Sequence, residues 1–285
     1  MKGINKLTIQ LTLLAAGYCT HPEWITLRGG SFRSVPFPAG FACIQHPRLG
    51  VILFDTGYSS RFFAATERFP FSMYRKLTPV IYEDSQSAVN QLNALGIASE
   101  EVKLIVLSHF HADHLGGLRD FPNAQFIYLQ AAYNAVKDRR GLSALRAGYL
   151  SELLPDDFIA RSLPIDEAQQ FSVPKNFPFR RVMDILGDGS LIAVDLPGHA
   201  AGQIGLMVAT DQQSYLLCAD TVWSSRAYRE HRLPNLLAGL IMSSRTQYQD
   251  SFERLCSLHE QYPQLQIVPS HCPTFYPLAP QKGVL

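Results

Sequence analysis

Short apolar runs, each closed by a polar residue or a turn, recur along the chain and alternate with amphipathic stretches. "FACIQHPRLGVILFDTG" predicts two strands around Pro47 to Gly50, a hairpin. "DSQSAVNQLNALG" puts Val89, Leu92 and Leu95 on one helical face, with a start at Asp84 or Ser85 and a stop at Gly96. "VKLIVLS" (102–108) reads as a buried strand, and "AQFIYL" (124–129) as another, followed by the helical "QAAYNAVKDRR". The second half repeats this grammar. "SLIAVDL" (190–196), "QIGLMVA" (203–209) and "SYLLCA" (214–219) predict three consecutive strands. "TQYQDSFERLCSLHEQY" then lines up Tyr248, Phe252, Leu255 and Tyr262 on one helical face, before the strand-like "LQIVP". Two halves, each of strands followed by helix, predict two sheets packed together with helices outside. A helical insert at about 133–175, rich in Leu, Arg and Tyr, has no counterpart in the first half. No Pro/Gly/Ser linker separates the halves, so residues 1–285 are read as one domain.

The N-terminal apolar stretch is broken by Thr8, Gln10 and Thr12 at alternating positions, the period of a strand with one wetter face and not of a signal core. No other segment is long and apolar enough to span a bilayer. A net charge of +1 gives no electrostatic case for a nucleic-acid or membrane partner. The five cysteines are odd in number and lack C-x-x-C spacing, so reduced, buried thiols and a cytoplasmic setting are expected. The oligomeric state stays open, a homodimer among the options.

Polar residues at the predicted strand ends carry the chemistry. In "SHFHADHLGG" (108–117), His109 and His111 stand two apart in an extended segment and point the same way. Asp113 and His114 follow where the chain turns into a helix, and the glycines let the backbone pass close by. Imidazole and carboxylate are donors that zinc accepts, with manganese, iron or cobalt also open to them. Three histidines within six positions, in a chain with nine, are not a chance feature of a polar loop. Downstream, His199 follows a Pro-Gly turn, Asp220 ends an apolar strand, and His271 ends the last one. Together these seven side chains make up the ligand set of two adjacent divalent cations.

The order "HFHADH", a histidine 85 residues on, an aspartate 21 further and a histidine 51 further resembles the metallo-β-lactamase superfamily over essentially the whole chain. The "FDTG" strand end and "PGHAAGQIGL" belong to the same resemblance. It implies a four-layer αβ/βα sandwich of two mixed β-sheets with outer helices, the site lying at one edge between the sheets. It also implies that His109, His111 and His199 hold a first metal and that Asp113, His114 and His271 hold a second, with Asp220 bridging both. The expected reaction is attack on an ester or lactone by a hydroxide shared between the cations, with no covalent intermediate. Asp113 and Asp220 are the expected catalytic carboxylates, Asp113 orienting the nucleophile and carrying its proton to the leaving group. Asp55 is a candidate hydrogen-bond partner for a ligand histidine.

"LTLLAAGYCTHPE" and the length resemble the quorum-quenching N-acyl-homoserine lactonases. Those enzymes carry a catalytic tyrosine three residues after the bridging aspartate, where this chain has Trp223, with Tyr228 displaced. An indole donates a hydrogen bond but is no acid, so Trp223 is expected as a pocket wall. Thioester or phosphodiester hydrolysis, or a ligand-binding regulatory role with little turnover, are the alternatives on this fold. His21, His46, His231 and His259 are expected outside the site. Substrate choice is assigned to the insert and to two aromatic stretches, 61–74 and 223–242, with 28–40 as a loop over the mouth.

Overall fold

Alternation within the strands decides the layering. In the computed structural model, which describes residues 9–276, a first sheet is built from β1 (Gln10–Pro22), β2 (Ser34–His46), β3 (Gly50–Phe54), β4 (Val80–Ile81), β5 (Val102–Val106), β6 (Gln125–Tyr128) and β7 (Ser162–Pro164). Its order is β4-β1-β2-β3-β5-β6-β7, antiparallel through β3 and parallel beyond. The second sheet holds β8 (Gln169–Gln170), β9 (Val182–Asp184), β10 (Leu191–Asp195), β11 (Ile204–Ala209), β12 (Ser214–Ala219) and β13 (Gln266–Pro269) in order β13-β12-β11-β10-β9-β8. Only the β12–β13 pair is parallel there, so both sheets are mixed.

Successive side chains on a strand face opposite ways. On β2, Ala42 and Ile44 point into the cluster between the sheets, while Phe41 and Cys43 join the outer helices. On β10, Leu191 and Ala193 face the first sheet, while Ile192 and Val194 meet Tyr248, Phe252 and Leu255 of the helix Arg245–Gln261. The result is the expected αβ/βα sandwich. Among the described residues no helix is long and apolar enough to cross a membrane.

Three local expectations change. Residues 84–96 do not form one helix: a 3₁₀ turn at Asp84–Gln86 precedes the helix Ala88–Ala94, because the Ser87 hydroxyl accepts from Asn90 N and starts it there. Leu92 is then buried but Leu95 is exposed. The 133–175 segment is helical only in its first part, at Gly141–Arg146 and a 3₁₀ turn at Ser151–Leu153. Beyond Pro155 the chain supplies β7 and β8, one edge strand for each sheet, since open sheet edges take up nearby backbone. The third change is at the N-terminus: β1 confirms the strand from Gln10 onward, whereas Thr8 lies outside the described residues.

Candidate metal centre

The site residues all follow strand ends at one edge of the two sheets. β3 and β5 run parallel, so Asp55 and Ser108 emerge side by side; Ser108 N donates to Asp55 Oδ1 at 2.8 Å. The chain then stays extended, and alternation separates its side chains. Phe110 turns into the aromatic cluster of Tyr128, Tyr133 and Phe158, while His109 and His111 turn into the site with ring centroids 4.4 Å apart. Asp113 and His114 sit on the single helical turn Ala112–Leu115. Thr56 stitches that turn to the β3 end, its N and Oγ1 both donating to His114 O.

The second sheet supplies the rest. His199 lies on the β10–β11 turn behind Gly198, whose φ is +128° and where an added Cβ would meet Tyr248 N at 2.1 Å. Only glycine lets this turn lie flat on the start of the long helix. β12 and β13 run parallel, which brings Asp220 and His271 out at the same end. Ala219, just before Asp220, is held at φ +49°, a conformation rarely adopted by residues with a Cβ.

All seven side chains expected as ligands are brought together and buried or nearly so. His109, His111, His199 and Asp220 form one group, and Asp113, His114 and His271 another, with the donor atoms of each group within 4.8 Å of one another. Asp220 joins the two groups. Its Oδ2 lies 2.9 Å from His271 Nε2 and 3.2 Å from His199 Nε2, and its Oδ1 lies 3.4 Å from His114 Nε2. Asp113 Oδ2 stands 3.3 Å from His271 Nε2.

Hydrogen bonds behind the cluster orient the rings. His114 Nδ1 donates to Asp55 Oδ2 at 2.8 Å, and His271 Nδ1 donates to Pro38 O at 2.6 Å. His109 Nδ1 lies 2.9 Å from Ser108 Oγ. Each bond at Nδ1 leaves the Nε2 lone pair facing the centre, the arrangement that holds a ligand imidazole in one tautomer. The Asp55 partnership was legible in "FDTG"; Ser108 and the Pro38 carbonyl were not, since neither has a signal in side-chain type or spacing. Trp223 does line the site, and its Nε1 donates to Asp220 Oδ2 at 3.2 Å. Tyr228 does not, because its hydroxyl donates to Ile267 O within the core.

Burial dominates the electrostatics. It holds the His109 and His199 imidazoles well below the ordinary histidine range. Burial also opposes protonation of His114, but the carboxylates of Asp55, Asp113 and Asp220 outweigh it and hold that ring well above the ordinary value. For Asp220 burial favours the neutral acid, yet His271, His114 and His199 keep its carboxyl well below the usual carboxylate range.

Do these residues fit metal ions? Among the described residues, five buried polar side-chain atoms lack a hydrogen-bond partner, and four belong to this cluster: His109 Nε2, His114 Nε2, His199 Nδ1 and Asp220 Oδ1. Unpaired buried polar atoms are costly, and native interiors rarely keep several together without a purpose. Their clustering in one place and their imidazole and carboxylate chemistry fit divalent cations.

The centre floors a cavity of about 590 Å³ with Ile25, Phe37, Leu77, Leu145, Trp223 and Leu237 among its walls. One exclusion fails here: His21, expected outside the site, lines this cavity, because the β1 alternation turns it inward beside Phe37. Tyr58 and Tyr74 stand on the same wall, their phenols pushed well above the ordinary range by burial and by the Asp113 charge. His46, His231 and His259 lie elsewhere, on Ser190, Glu260 and Tyr228. Of the two aromatic stretches, 61–74 contributes Tyr74, whereas Phe62 is wholly buried in the core. The 28–40 segment contributes only Phe37 to the wall; most of it is β2.

Comparison with known proteins places these features. A family model described as "Metallo-beta-lactamase superfamily" matches residues 44–271. The chain is 27% identical over 253 residues to a probable metallo-hydrolase of Mycobacterium bovis, covering 84% of this chain and 78% of that protein. It is 29% identical over 254 residues to the N-acyl homoserine lactonase AttM of Azorhizobium caulinodans, covering 89% of each. A solved N-acyl homoserine lactone hydrolase, with the product N-hexanoyl-L-homoserine at its catalytic metal centre, superposes with a TM-score of 0.69 at 18% identity over 94% of each chain.

Proposed function

The chain belongs to the metallo-beta-lactamase superfamily, and from that premise we propose that it is a dinuclear metal-dependent hydrolase that opens lactones, N-acyl-homoserine lactones among them. The observation that carries this reading is the set of buried, unpaired donor atoms converging from both sheets. His109, His111 and His199 would hold the first cation and Asp113, His114 and His271 the second, with Asp220 placed between the two groups. Zinc suits this donor set best, with manganese, iron and cobalt as competitors. When bound, such a pair of cations supplies a water nucleophile near neutral pH and polarises an acyl oxygen.

The protein's own groups do the rest. Asp113, which lines the cavity, takes the proton from the attacking water and returns it to the leaving alkoxide. The Trp223 N–H holds Asp220 Oδ2 in place, and the indole face walls the pocket beside His199, with ring centroids 5.6 Å apart. The apolar walls exclude water and accept an acyl tail, and a cavity of about 590 Å³ is of the size that small-molecule sites use. The relatives named lactonases support the substrate class. The five free, buried cysteines support a reducing, cytoplasmic compartment.

The test is proton release from N-acyl-homoserine lactones and simple γ-lactones, comparing metal-loaded protein with a chelator-stripped control. Metal-dependent ring opening is expected. Protein that still binds two metals but opens no lactone would move the assignment to another ester, a thioester or a phosphodiester, or to a binding role.

A further inference from the structure

A second cavity, of about 310 Å³, borders the same cluster at His111 and His199. The two share His111, His199, Arg146 and Ile241, so a ligand whose reacting group rests at the cluster can extend into both. Their chemistry differs. Arg139 lines only the side cavity, together with the shared Arg146, and no carboxylate lines it, whereas Asp113 and Asp220 both line the large, mainly apolar arm.

The placement of Arg146 is built in. It ends the short helix Gly141–Arg146, and two residues later Gly148, at φ +60°, lies so close to His111 that an added Cβ would meet the ring at 2.8 Å. Gly148 O also accepts from Ala112 N at 3.0 Å, which ties this segment to the turn that carries Asp113 and His114. Among the described residues the Arg146 side chain makes no hydrogen bond or ion pair with another. The Arg139 side chain donates to Ala135 O, on its own segment, and has no carboxylate partner. Arginines elsewhere, such as Arg61, Arg119 and Arg254, rest on Asp120, Asp156 and Asp250. Two guanidinium groups without a carboxylate partner line one hollow, and a bound carboxylate gives their planar donor forks an acceptor.

We propose that this side cavity is an anion subsite that takes a carboxylate carried by the substrate, so that the preferred ester or lactone has an anionic substituent. The inference rests on the hydrolase reading of the metal centre. A neutral acyl-homoserine lactone fills the apolar arm alone; an anionic one also engages Arg139 and Arg146.

A matched pair tests it: N-butanoyl- and N-succinyl-homoserine lactone, of equal chain length, the second ending in a carboxylate. For metal-loaded wild type, KM for the succinyl compound should be lower by roughly two- to fivefold, the reach of exposed guanidinium–carboxylate pairs. That preference should shrink in high salt and fall to near one in Arg146→Ala and in Arg139→Ala, with partial return in Arg146→Lys. Calorimetric binding of succinate gives a readout that needs no turnover. Weaker binding to both alanine variants supports the subsite even if neither lactone is opened, an outcome that would sink only the lactonase reading. Succinate bound equally by wild type and both variants, or lactone turnover with no preference for the anion, overturns it. Inhibition by the ring-opened product N-butanoyl-homoserine separates the two sources of carboxylate. If Arg146→Ala relieves product inhibition and leaves the succinyl KM unchanged, the cavity receives the product's carboxylate and the proposal about the substrate fails.

Discussion

His114 shows how a single side chain is prepared for a cation. Asp55 accepts its Nδ1–H while also taking Ser108 N on the other oxygen, so one carboxylate fixes a ring and the start of the ligand loop together. Asp55 itself sits at φ +60°, a backbone state that asparagine tolerates. Asp55→Asn should therefore fold, but with a neutral acceptor in place of the carboxylate it should bind metal roughly 10- to 100-fold more weakly, as read by chelator competition. Unchanged affinity would reduce Asp55 to a turn residue. His109→Ala and Asp220→Ala go further: each should strip metal and activity from a chain whose far-ultraviolet circular dichroism stays native. Either variant retaining two metals by elemental analysis would sink the ligand assignment. At this scale the sequence was readable where chemistry follows residue type and spacing, as in "HFHADH". It misplaced His21, expected outside the site, because its place depends on how β1 bulges between Ala15 and Tyr18, and it was silent on Pro38, which acts only through its carbonyl.

Strands were the more legible elements, because a buried strand is a short apolar run and β5, β6, β10, β11, β12 and β13 all stand where such runs occur. The segment 133–175 was harder to read. Its apolar residues, Leu150, Leu153 and Phe158 among them, serve the outer face of the first sheet, and that demand overrides helical periodicity beyond Pro155. Short helices owe their positions to contacts more than to propensity, and the helix Gly141–Arg146 is anchored through the close approach of Gly148 to His111. Gly148→Ala tests this. A side chain there faces both a left-handed φ and the His111 ring at 2.8 Å. The variant should lose about 1–2 kcal/mol of stability by denaturant unfolding. Its displaced His111 should also cost first-metal affinity, whereas a substitution at Gly141, with open space around it, should leave metal binding unchanged. Equal metal binding by the Gly148 variant would mean that the segment merely covers the site.

On the scale of the whole molecule, seven candidate ligands spread over residues 109–271 meet because both sheets deliver their strand ends to one edge. Their order along the chain was enough to recognise the set through its resemblance to a family. The larger cavity was foreseen in part, since Leu142 of the insert and Leu237 of the 223–242 stretch line it, but Ile25 and Leu77, from segments with no common pattern, were not. Convergence of this kind couples metal to fold. Without cations, His109 Nε2, His114 Nε2, His199 Nδ1 and Asp220 Oδ1 remain buried and unpaired at the junction of both sheets, each at a cost to the native state alone. A cation that binds the native chain and not the unfolded one stabilises it by about 4 kcal/mol per site when free metal exceeds Kd a thousandfold. For a chain of this size that is a rise in Tm of roughly 10 °C. Thermal unfolding with saturating zinc and after exhaustive chelation should differ by that order. The difference should shrink on acidification, as protons compete for His114, whose ring favours its protonated form, before they reach His109 and His199, which burial keeps neutral to lower pH. Metal-loaded and stripped protein unfolding at the same temperature at neutral pH would mean that the cluster satisfies itself without cations, and the dinuclear reading would fall with it.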